Sequence, residues 1–393
     1  MKKKLSIILT ALILLTSCSH EVNINNDTTE KVSFLRGSHF SVGNQYLLKN
    51  MDLLQYIDLT SGDMSWNPLC SKPNCRHDDD SCAAFMLRMV MNPFIYKDKL
   101  YYFMWYGNDV GVEDGLYQAD TDGTNQKLIF KPEENEFIYN AWFFNGNLVF
   151  AYRKKEHSDI LYGDLSHLGH TYRFYIYNFE SVTLFYETGL IYNEEFFFHG
   201  IIGNDVYFDY RARDSYFDVP FGQFYEYIED KNSEYWQGMV SERRIMPLGQ
   251  KDPANPKYET VKEDWFFGVL VISGDSYYYF NEDMEFYSVN TRTNKKALIS
   301  PPHDTYADIL QVFDGKVFVM TFDKNNDYFG SYYYENDEFV KIEENDYFFL
   351  IIFETEDYFF GYFSTSPTEV IYGYFSKTDY YSGNWDGLIE FEW

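Results

Sequence analysis

The chain of 393 residues is strongly aromatic and strongly acidic. Aromatic side chains make up 21% of it, and 61 acidic side chains against 32 basic ones give a net charge of −29. Because affinity for nucleic acid rests on Lys and Arg that neutralise phosphates, this charge excludes nucleic acid as the expected partner. The aromatic content excludes a disordered acidic chain. Cationic or neutral partners are compatible with the charge, whose plainest explanation is solubility.

The first seventeen residues, 1–17, predict a cleaved signal peptide. Three lysines at positions 2–4 precede an apolar run at 5–15, which is shorter than the roughly 20 residues that a membrane-spanning helix needs. This pattern is typical of a secretory signal. The run ends in LTSC, which resembles the lipobox of bacterial lipoproteins. The resemblance implies cleavage before Cys18 and lipidation of Cys18; the alternative is plain secretion.

Residues 18–33 are expected to form a lipidated cysteine and a flexible tether. The segment SHEVNINNDTTEK, at 19–31, is polar and has no apolar periodicity, as linkers do. Several acyl chains on Cys18 would anchor the protein stably, whereas one chain gives only marginal binding. The predicted location is therefore the cell envelope, on the extracytoplasmic face, with the membrane bound through the lipid.

From residue 34 to 393, a short turn followed by a dense aromatic strand recurs seven times. The turns lie near Asn44, Asp98, Gly146, Asn204, Gly274, Gly315 and Asp357. Gly, Asn and Asp tolerate the positive φ that tight hairpin turns require. Most of the spacings, about 40 to 58 residues, match a four-stranded propeller blade. The sequence predicts an all-β fold, a β-propeller with seven four-stranded antiparallel blades, six or eight being the alternatives.

A tandem of β-sandwiches is the competing fold, but 34–393 contains no Pro/Gly/Ser-rich linker of the kind that would separate two domains. The long spacing between the fourth and fifth turns predicts an insertion in the fourth blade, at about residues 211–262. Segment 120–123, DTDG, is interpreted as a turn and not as a calcium loop.

The predicted insertion contains the candidate binding rim. The rim consists of the aromatic residues Tyr216, Phe221, Tyr225, Tyr235 and Trp236. Insertions on the faces of a scaffold often carry function, and exposed aromatic rings beside carboxylates suit recognition of a glycan or peptide. The alternative is that these rings pack over the edge of the blade, as most of the other aromatic side chains are expected to pack between blades.

The segment CSKPNCRHDDDSC, at 70–82, contains the candidate metal ligands Cys70, Cys75, His77 and Cys82. Three thiolates and one imidazole form the Cys₃His set of closed structural zinc sites. Cys75 and His77 would share one face of an extended strand. A disulfide between two of the cysteines, with the third idle, suits an oxidising location equally well. A catalytic thiol is the weakest interpretation, because the acidic neighbours would raise its pKa.

Catalytic signatures are missing from the chain. It has no G-x-S-x-G, H-E-x-x-H, Walker or G-x-G-x-x-G motif. No catalytic residue is therefore assigned, and the sequence leaves an enzymatic role undecided while favouring its absence. His167 and His170 are expected to be solvated histidines on a surface loop.

The repeated turn-plus-aromatic units and the phrase LYQADTDG at 116–123 resemble the TolB-like and low-density-lipoprotein-receptor-like propellers of bacterial surface lipoproteins. The resemblance covers about 35–393 and implies a structural role for a Cys-rich segment after the first blade. The predicted function is a membrane-anchored extracellular propeller that binds a glycan, a peptide or an envelope protein. The alternative is a polysaccharide hydrolase or lyase with carboxylates at the central channel.

Overall fold

The computed structural model describes most of the chain between Val32 and Phe391. The described residues are 32–34, 40–43, 46–50, 52–59, 61, 65–87, 90–104, 113–155, 169–213, 239–250, 252–261, 270–281, 283, 285–299, 306–322, 328–342, 349–366 and 369–391. Cys18 lies outside them, as do all five residues of the candidate binding rim. No helix in this part of the chain is long and apolar enough to cross a bilayer.

The described residues contain 29 strands, which form seven antiparallel sheets of consecutive strands. The first three sheets comprise β1 (Val32–Phe34), β2 (Phe40–Gly43), β3 (Tyr46–Asn50), β4 (Leu54–Asp58) and β5 (Asn67–Pro68); β6 (Val90–Tyr96), β7 (Lys99–Met104), β8 (Gly115–Asp120) and β9 (Lys127–Phe130); and β10 (Glu136–Phe144), β11 (Asn147–Lys155), β12 (His170–Tyr177) and β13 (Val182–Glu187). The fourth and fifth comprise β14 (Tyr192–Ile202), β15 (Asp205–Arg213), β16 (Val240–Pro247) and β17 (Glu259–Val261); and β18 (Leu270–Ser273), β19 (Ser276–Phe280), β20 (Phe286–Asn290) and β21 (Lys295–Ile299). The last two comprise β22 (Tyr306–Phe313), β23 (Lys316–Phe322), β24 (Tyr328–Glu335) and β25 (Glu338–Lys341); and β26 (Phe349–Glu354), β27 (Tyr358–Ser366), β28 (Glu369–Ser376) and β29 (Ile389–Phe391). The helical segments of the described chain are Ala83–Met86, Lys377–Ser382 and the 3₁₀ turn Trp385–Gly387.

The seven sheets are the blades of a seven-bladed β-propeller, which confirms the predicted fold class. Six blades have four strands, and the first has a fifth strand, β1. All seven predicted turns fall between two paired strands, each pair opening the four-stranded core of its blade. Asp98 has φ 56° and Gly274 has φ 59°, the left-handed conformation that such residues tolerate in tight hairpins.

Each contact between neighbouring blades, here called a seam, contains its own hydrophobic cluster. The seven clusters lie between blades one and two, two and three, and so on around the ring to seven and one. Burial of apolar surface is worth about 25 cal/mol per Å², so the fold is stabilised seam by seam and needs no single central core. This modular burial explains how a chain of this length avoids dividing into separate domains.

The consecutive aromatic residues of β19 show how the sequence produces these clusters. Tyr277 and Tyr279 pack into the seam with blade four, whereas Tyr278 and Phe280 pack into the seam with blade six. Successive side chains of a strand point to opposite faces, so a run of four aromatic residues supplies two seams at once. The prediction that most rings pack between blades is confirmed for this strand.

The first strand of each blade core lies on the inner side of the ring, and β1 lies further inward. Contacts between neighbouring blades join β2 to β6, β10 to β14, β14 to β18 and β18 to β22. Strand β1 pairs with β2 and also contacts β6 and β10. It therefore lines the central channel, and it begins at Val32, inside the interval that the sequence assigned to the tether.

Two further sequence predictions concern residues of blades three and four. His170 was expected on a solvated loop, but it is 5% exposed, and its backbone exchanges hydrogen bonds with Ile191; that expectation was wrong because the residue opens β12. Strands β16 and β17 complete the fourth blade and fall within the interval 211–262 assigned to an insertion. The part of that interval at 214–238 lies outside the described residues.

Candidate functional site

The Cys-rich segment connects the outermost strand of blade one, β5, to the innermost strand of blade two, β6. Leu69 and Leu87, at its two ends, are each 1% exposed and belong to the cluster between these blades. Their neighbours include Leu54 of blade one and Leu100 of blade two. Burial of the two leucines fixes both ends of the segment in the seam and leaves its polar middle at the surface.

The segment is a series of turns and not the extended strand expected from the spacing of Cys75 and His77. Asn74 has φ 57° and His77 has φ 58°, and left-handed residues of this kind reverse the chain direction locally. The Cys75 N–H donates to Lys72 O at 3.3 Å, and the Cys82 N–H donates to Asp79 O at 3.1 Å. The correction concerns the local backbone only, because the turns bring the same four side chains together.

The predicted ligands converge. One ligand atom from each of Cys70, Cys75, His77 and Cys82 lies within 4.8 Å of all the others, and His77 Nδ1 is 3.2 Å from Cys82 Sγ. All three cysteines are free thiols, whereas a disulfide requires an S–S distance of about 2.0 Å. In a tetrahedral site with Zn–S bonds of about 2.3 Å, sulfur atoms stand about 3.8 Å apart. The four side chains thus have the spacing of a metal site.

Two of the thiols have shifted pKa values. Burial raises the pKa of the Cys82 thiol to about 11. Burial also acts to raise the pKa of Cys70, but hydrogen bonds from the Lys72 backbone and from the other two thiols outweigh it and lower the pKa below the usual value. Since metals bind thiolates, Cys70 ionises more readily than Cys82.

The acidic residues of the segment are not part of this cluster. Asp79 Oδ1 accepts the Ser81 N–H at 2.9 Å, and hydrogen bonds from the Ser81 side chain and backbone lower the Asp79 pKa. The Lys72 ammonium donates to the Ser81 carbonyl. Among the described residues, the cluster with metal-binding spacing consists of the three cysteines and His77, with no carboxylate.

The segment also grips a turn of blade two. Ser71 Oγ donates to Asp122 Oδ2 at 2.6 Å. Gly123 has φ 79°, and a Cβ there would lie 2.7 Å from Ala83 Cβ and 3.0 Å from Leu87 Cδ1. The Gly123 N–H donates to Asp120 O at 2.8 Å, which confirms the predicted turn. The four-ligand cluster is therefore attached to both blades of one seam.

A buried ionic cluster in blade four has no counterpart in the sequence prediction. Asp209 and Arg243 are fully buried and form hydrogen bonds of 2.8 and 3.2 Å, while His199 Nε2 is 3.0 Å from Asp209 Oδ2. Burial acts to raise the Asp209 pKa, but His199 and Arg243 hold it at about 2. Only the strand register, which places Asp209 opposite Arg243, could have revealed the pair.

Three described carboxylates belong to the innermost strands, and each is engaged by a basic side chain. Glu136 pairs with Arg173 at 3.0 Å, and Glu195 pairs with Arg211 at 3.3 Å. Glu354 accepts from Lys377 at 2.9 Å. Each of these three carboxylates is therefore neutralised by a basic partner of its own blade.

No protein-family model and no curated protein sequence matches the chain. Among solved structures, it is similar in fold to Pyrococcus horikoshii acylaminoacyl peptidase, with 13% identity and a TM-score of 0.45 over 89% of this chain and 52% of that chain. A post-proline cleaving enzyme from Rickettsia typhi gives 11% identity and a TM-score of 0.46 over 93% and 53% of the two chains. Porphyromonas gingivalis dipeptidyl peptidase 4 gives 12% and 0.46 over 91% and 52%. The chain spans about half the length of these peptidases.

Proposed function

We propose that the protein is a lipid-anchored propeller on the extracytoplasmic face of the cell envelope, where it acts as a binding module for a glycan, a peptide or another envelope protein. The single observation that supports binding over hydrolysis is the pairing of the three described carboxylates on the innermost strands. A glycoside hydrolase needs two carboxyl groups about 5 to 9.5 Å apart across the scissile bond. Here Glu136, Glu195 and Glu354 are each committed to a basic partner.

The proposed anchor rests on the signal sequence and on Cys18. We expect full-length protein expressed in a bacterial host to sediment with membranes and to dissolve in detergent. Cys18→Ala removes the lipid attachment point and should release the protein into the soluble fraction. The control is Cys70→Ala, which also removes one cysteine but leaves the lipobox intact. Membrane retention of Cys18→Ala would contradict lipid anchoring.

The proposed binding role is tested by presenting the purified soluble domain to arrays of glycans and peptides and to an envelope extract, and by assaying the same glycans for cleavage. Binding without product release is the expected result. Release of reducing ends from any polysaccharide would contradict the binding role and support the hydrolase alternative.

We also propose that Cys70, Cys75, His77 and Cys82 hold a structural zinc ion. Two points support the ion: the ligand types and their mutual spacing. A closed Cys₃His site leaves no position for a substrate, so the ion would contribute folding free energy and not catalysis.

The zinc proposal is tested on protein purified without reductant and without added metal. We expect about one zinc per chain by elemental analysis, with the thiols reactive only after chelation. Cys75→Ser and His77→Ala should each lower the zinc content, whereas Asp79→Asn, in the same segment but bonded to Ser81, should keep it. An intact disulfide by mass spectrometry, with no zinc, would overturn the proposal.

A further inference from the structure

A groove lies on the outer side of the ring, at the seam between blades five and six. Its volume is about 760 Å³, and it is lined by residues of β20 and β21 on one side and of β24 and β25 on the other. Strands β21 and β25 are the outermost strands of their blades. The groove is thus far along the chain from the Cys-rich segment and separate from the channel.

The groove has opposite charges at its two ends. Asp337 lies in the turn between β24 and β25, with φ 65°, and Lys341 is the last residue of β25. Four residue steps separate their Cα atoms, which corresponds to about 13 Å at 3.3 Å per step. Neither side chain has a salt bridge to any described residue, and both line the groove.

The positions of both charges are built into the fold. Tyr334 Oη donates to Asp337 Oδ1 at 3.1 Å, which orients the carboxylate. At the other end, the stem of Lys341 packs against Gly330, where an added Cβ would lie 3.4 Å from Lys341 Cε. Burial and the Asp337 carboxylate raise the pKa of Tyr334 to about 12, so this hydroxyl stays a neutral donor at physiological pH.

The wall between the two charges combines apolar and polar residues with a free strand edge. Ala297, Ile299 and Phe339 line it together with Ser288 and Glu338. Strand β21 pairs with β20 on one side and has no strand on its other side among the described residues. An extended chain can pair with an edge of this kind through its main-chain groups while its apolar side chains meet Ala297 and Phe339.

We propose that this groove binds a short free peptide of three or four residues, with its terminal ammonium at Asp337 and its terminal carboxylate at Lys341. An extended peptide of four residues has charged termini about 13 Å apart, the spacing of the two groove charges. A neutral glycan would supply no charge for either end. The inference rests on the proposed binding role, to which it adds a ligand class and a position.

The test is isothermal titration of the purified soluble domain with the tetrapeptide Ala-Leu-Ala-Leu in four forms: free, N-acetylated, C-amidated and blocked at both ends. A hydrogen bond to a charged group is worth enough for a change of about tenfold in Kd. We expect each block to weaken binding by about tenfold. Asp337→Asn should weaken binding of the free peptide equally but leave the Kd of the N-acetylated peptide unchanged, because the lost partner is the terminal ammonium.

Lys341→Met should behave in the same way toward the C-amidated peptide. The matched controls are Lys295→Met, a lysine of β21 that does not line the groove, and Asp357→Asn, an aspartate in the tight turn between β26 and β27 of blade seven. Asn tolerates the left-handed conformation at position 337, so Asp337→Asn preserves the turn; unchanged thermal unfolding verifies this.

Equal Kd values for the four peptide forms, or an unchanged Kd in both groove variants, would overturn the inference. A glycan or envelope protein that binds the wild-type protein and both groove variants equally would overturn it as well, while leaving the binding role intact. Failure of every peptide, glycan and extract component to bind would instead remove the binding role itself.

Discussion

The two seams that flank blade one are held together in different ways. Between blades one and two, the chain crosses the seam, and the Cys-rich segment adds the four-ligand cluster and the grip on Gly123. Between blades seven and one, each sheet uses its own consecutive strands, so no strand is shared across the closure. That seam contains a cluster that includes Leu47, Ile57, Phe353 and Phe360.

The two seams thus differ in the kinds of contact that hold neighbouring blades together. The seam between blades one and two combines apolar packing with hydrogen bonds and the four-ligand cluster, so a substitution that removes one kind of contact leaves the others in place. Across the closing seam, the described residues contribute a packed apolar cluster. Packing energy scales with buried area, so a cavity at the closing seam should have the larger effect on stability.

The largest expected effect is that of Phe360→Ala, at the closing seam. Phe360 is 3% exposed and its ring stacks on Tyr374 with centroids 5.3 Å apart. Loss of a buried phenylalanine side chain should lower the free energy of unfolding by about 3 to 5 kcal/mol, measured by guanidinium denaturation. Val370→Ala, at a position of β28 that is 46% exposed and outside this cluster, is the control and should change it little. Equal effects of the two substitutions would contradict the importance of packing at the closure.

The second prediction concerns removal of the proposed zinc. Free zinc at 100 times its Kd should raise the free energy of unfolding by about 2.7 kcal/mol over the chelated protein. Cys82→Ser should abolish this dependence on zinc, whereas Phe360→Ala should retain it in full. The reason is that the apolar cluster of the closing seam shares no residue with the cluster between blades one and two, where the Cys-rich segment lies. The measurement is thermal unfolding in zinc and in chelator; zinc dependence in Cys82→Ser would place the ion elsewhere.

A third, smaller effect isolates the grip on blade two. Gly123→Ala forces a side chain into both a left-handed conformation and the contact with Ala83. Gly203→Ala is the matched control, since Gly203 has φ 58° and nothing within 4 Å of the added Cβ. Overpacking should make Gly123→Ala about 1 to 2 kcal/mol more destabilising than the control. Equal decreases in the free energy of unfolding for the two variants, measured by urea denaturation, would show that the Cys-rich segment accommodates the added methyl group without strain.

The smallest effect is expected at the base of the same turn. Lys99 Nζ lies 2.6 Å from Asp120 Oδ1, but both side chains are exposed. Lys99→Met should lower the free energy of unfolding by less than about 1 kcal/mol, and the difference from wild type should shrink in high salt. A loss as large as that of Gly123→Ala would mean that charge, and not packing, holds the turn.

The sequence was sufficient to predict the blades because their signal is local. A turn residue such as Asp98 or Gly274 and the aromatic strand after it are adjacent in the chain, and seven repetitions reinforce a weak single pattern. The convergence of Cys70 and Cys82 was also accessible, since only thirteen residues contain all four candidate ligands. The turns that achieve it were not, because left-handed residues at Asn74 and His77 have no strong sequence signature.

Features that depend on strand register were beyond the reach of the sequence. Asp209 and Arg243 pair across two strands whose connection is long, so their separation along the chain gives no hint of contact. The groove at Asp337 and Lys341 depends on the separation of two blades at their outer strands. His170 illustrates a different error. The sequence predicted a solvent-exposed loop residue, whereas the residue is buried and forms a backbone bridge with Ile191.

The placement of β1 has a consequence for orientation. Val32 pairs with Gly43, beside the turn that joins β2 to β3, so the chain enters the ring at the face of the seven tight turns. The connection from β15 to β16 leaves from the opposite face. If Cys18 is lipidated as proposed, the tether would join the propeller at β1, near the axis of the ring. The tight-turn face would then look toward the bilayer, and the face with the long connections would look outward to the surroundings of the cell.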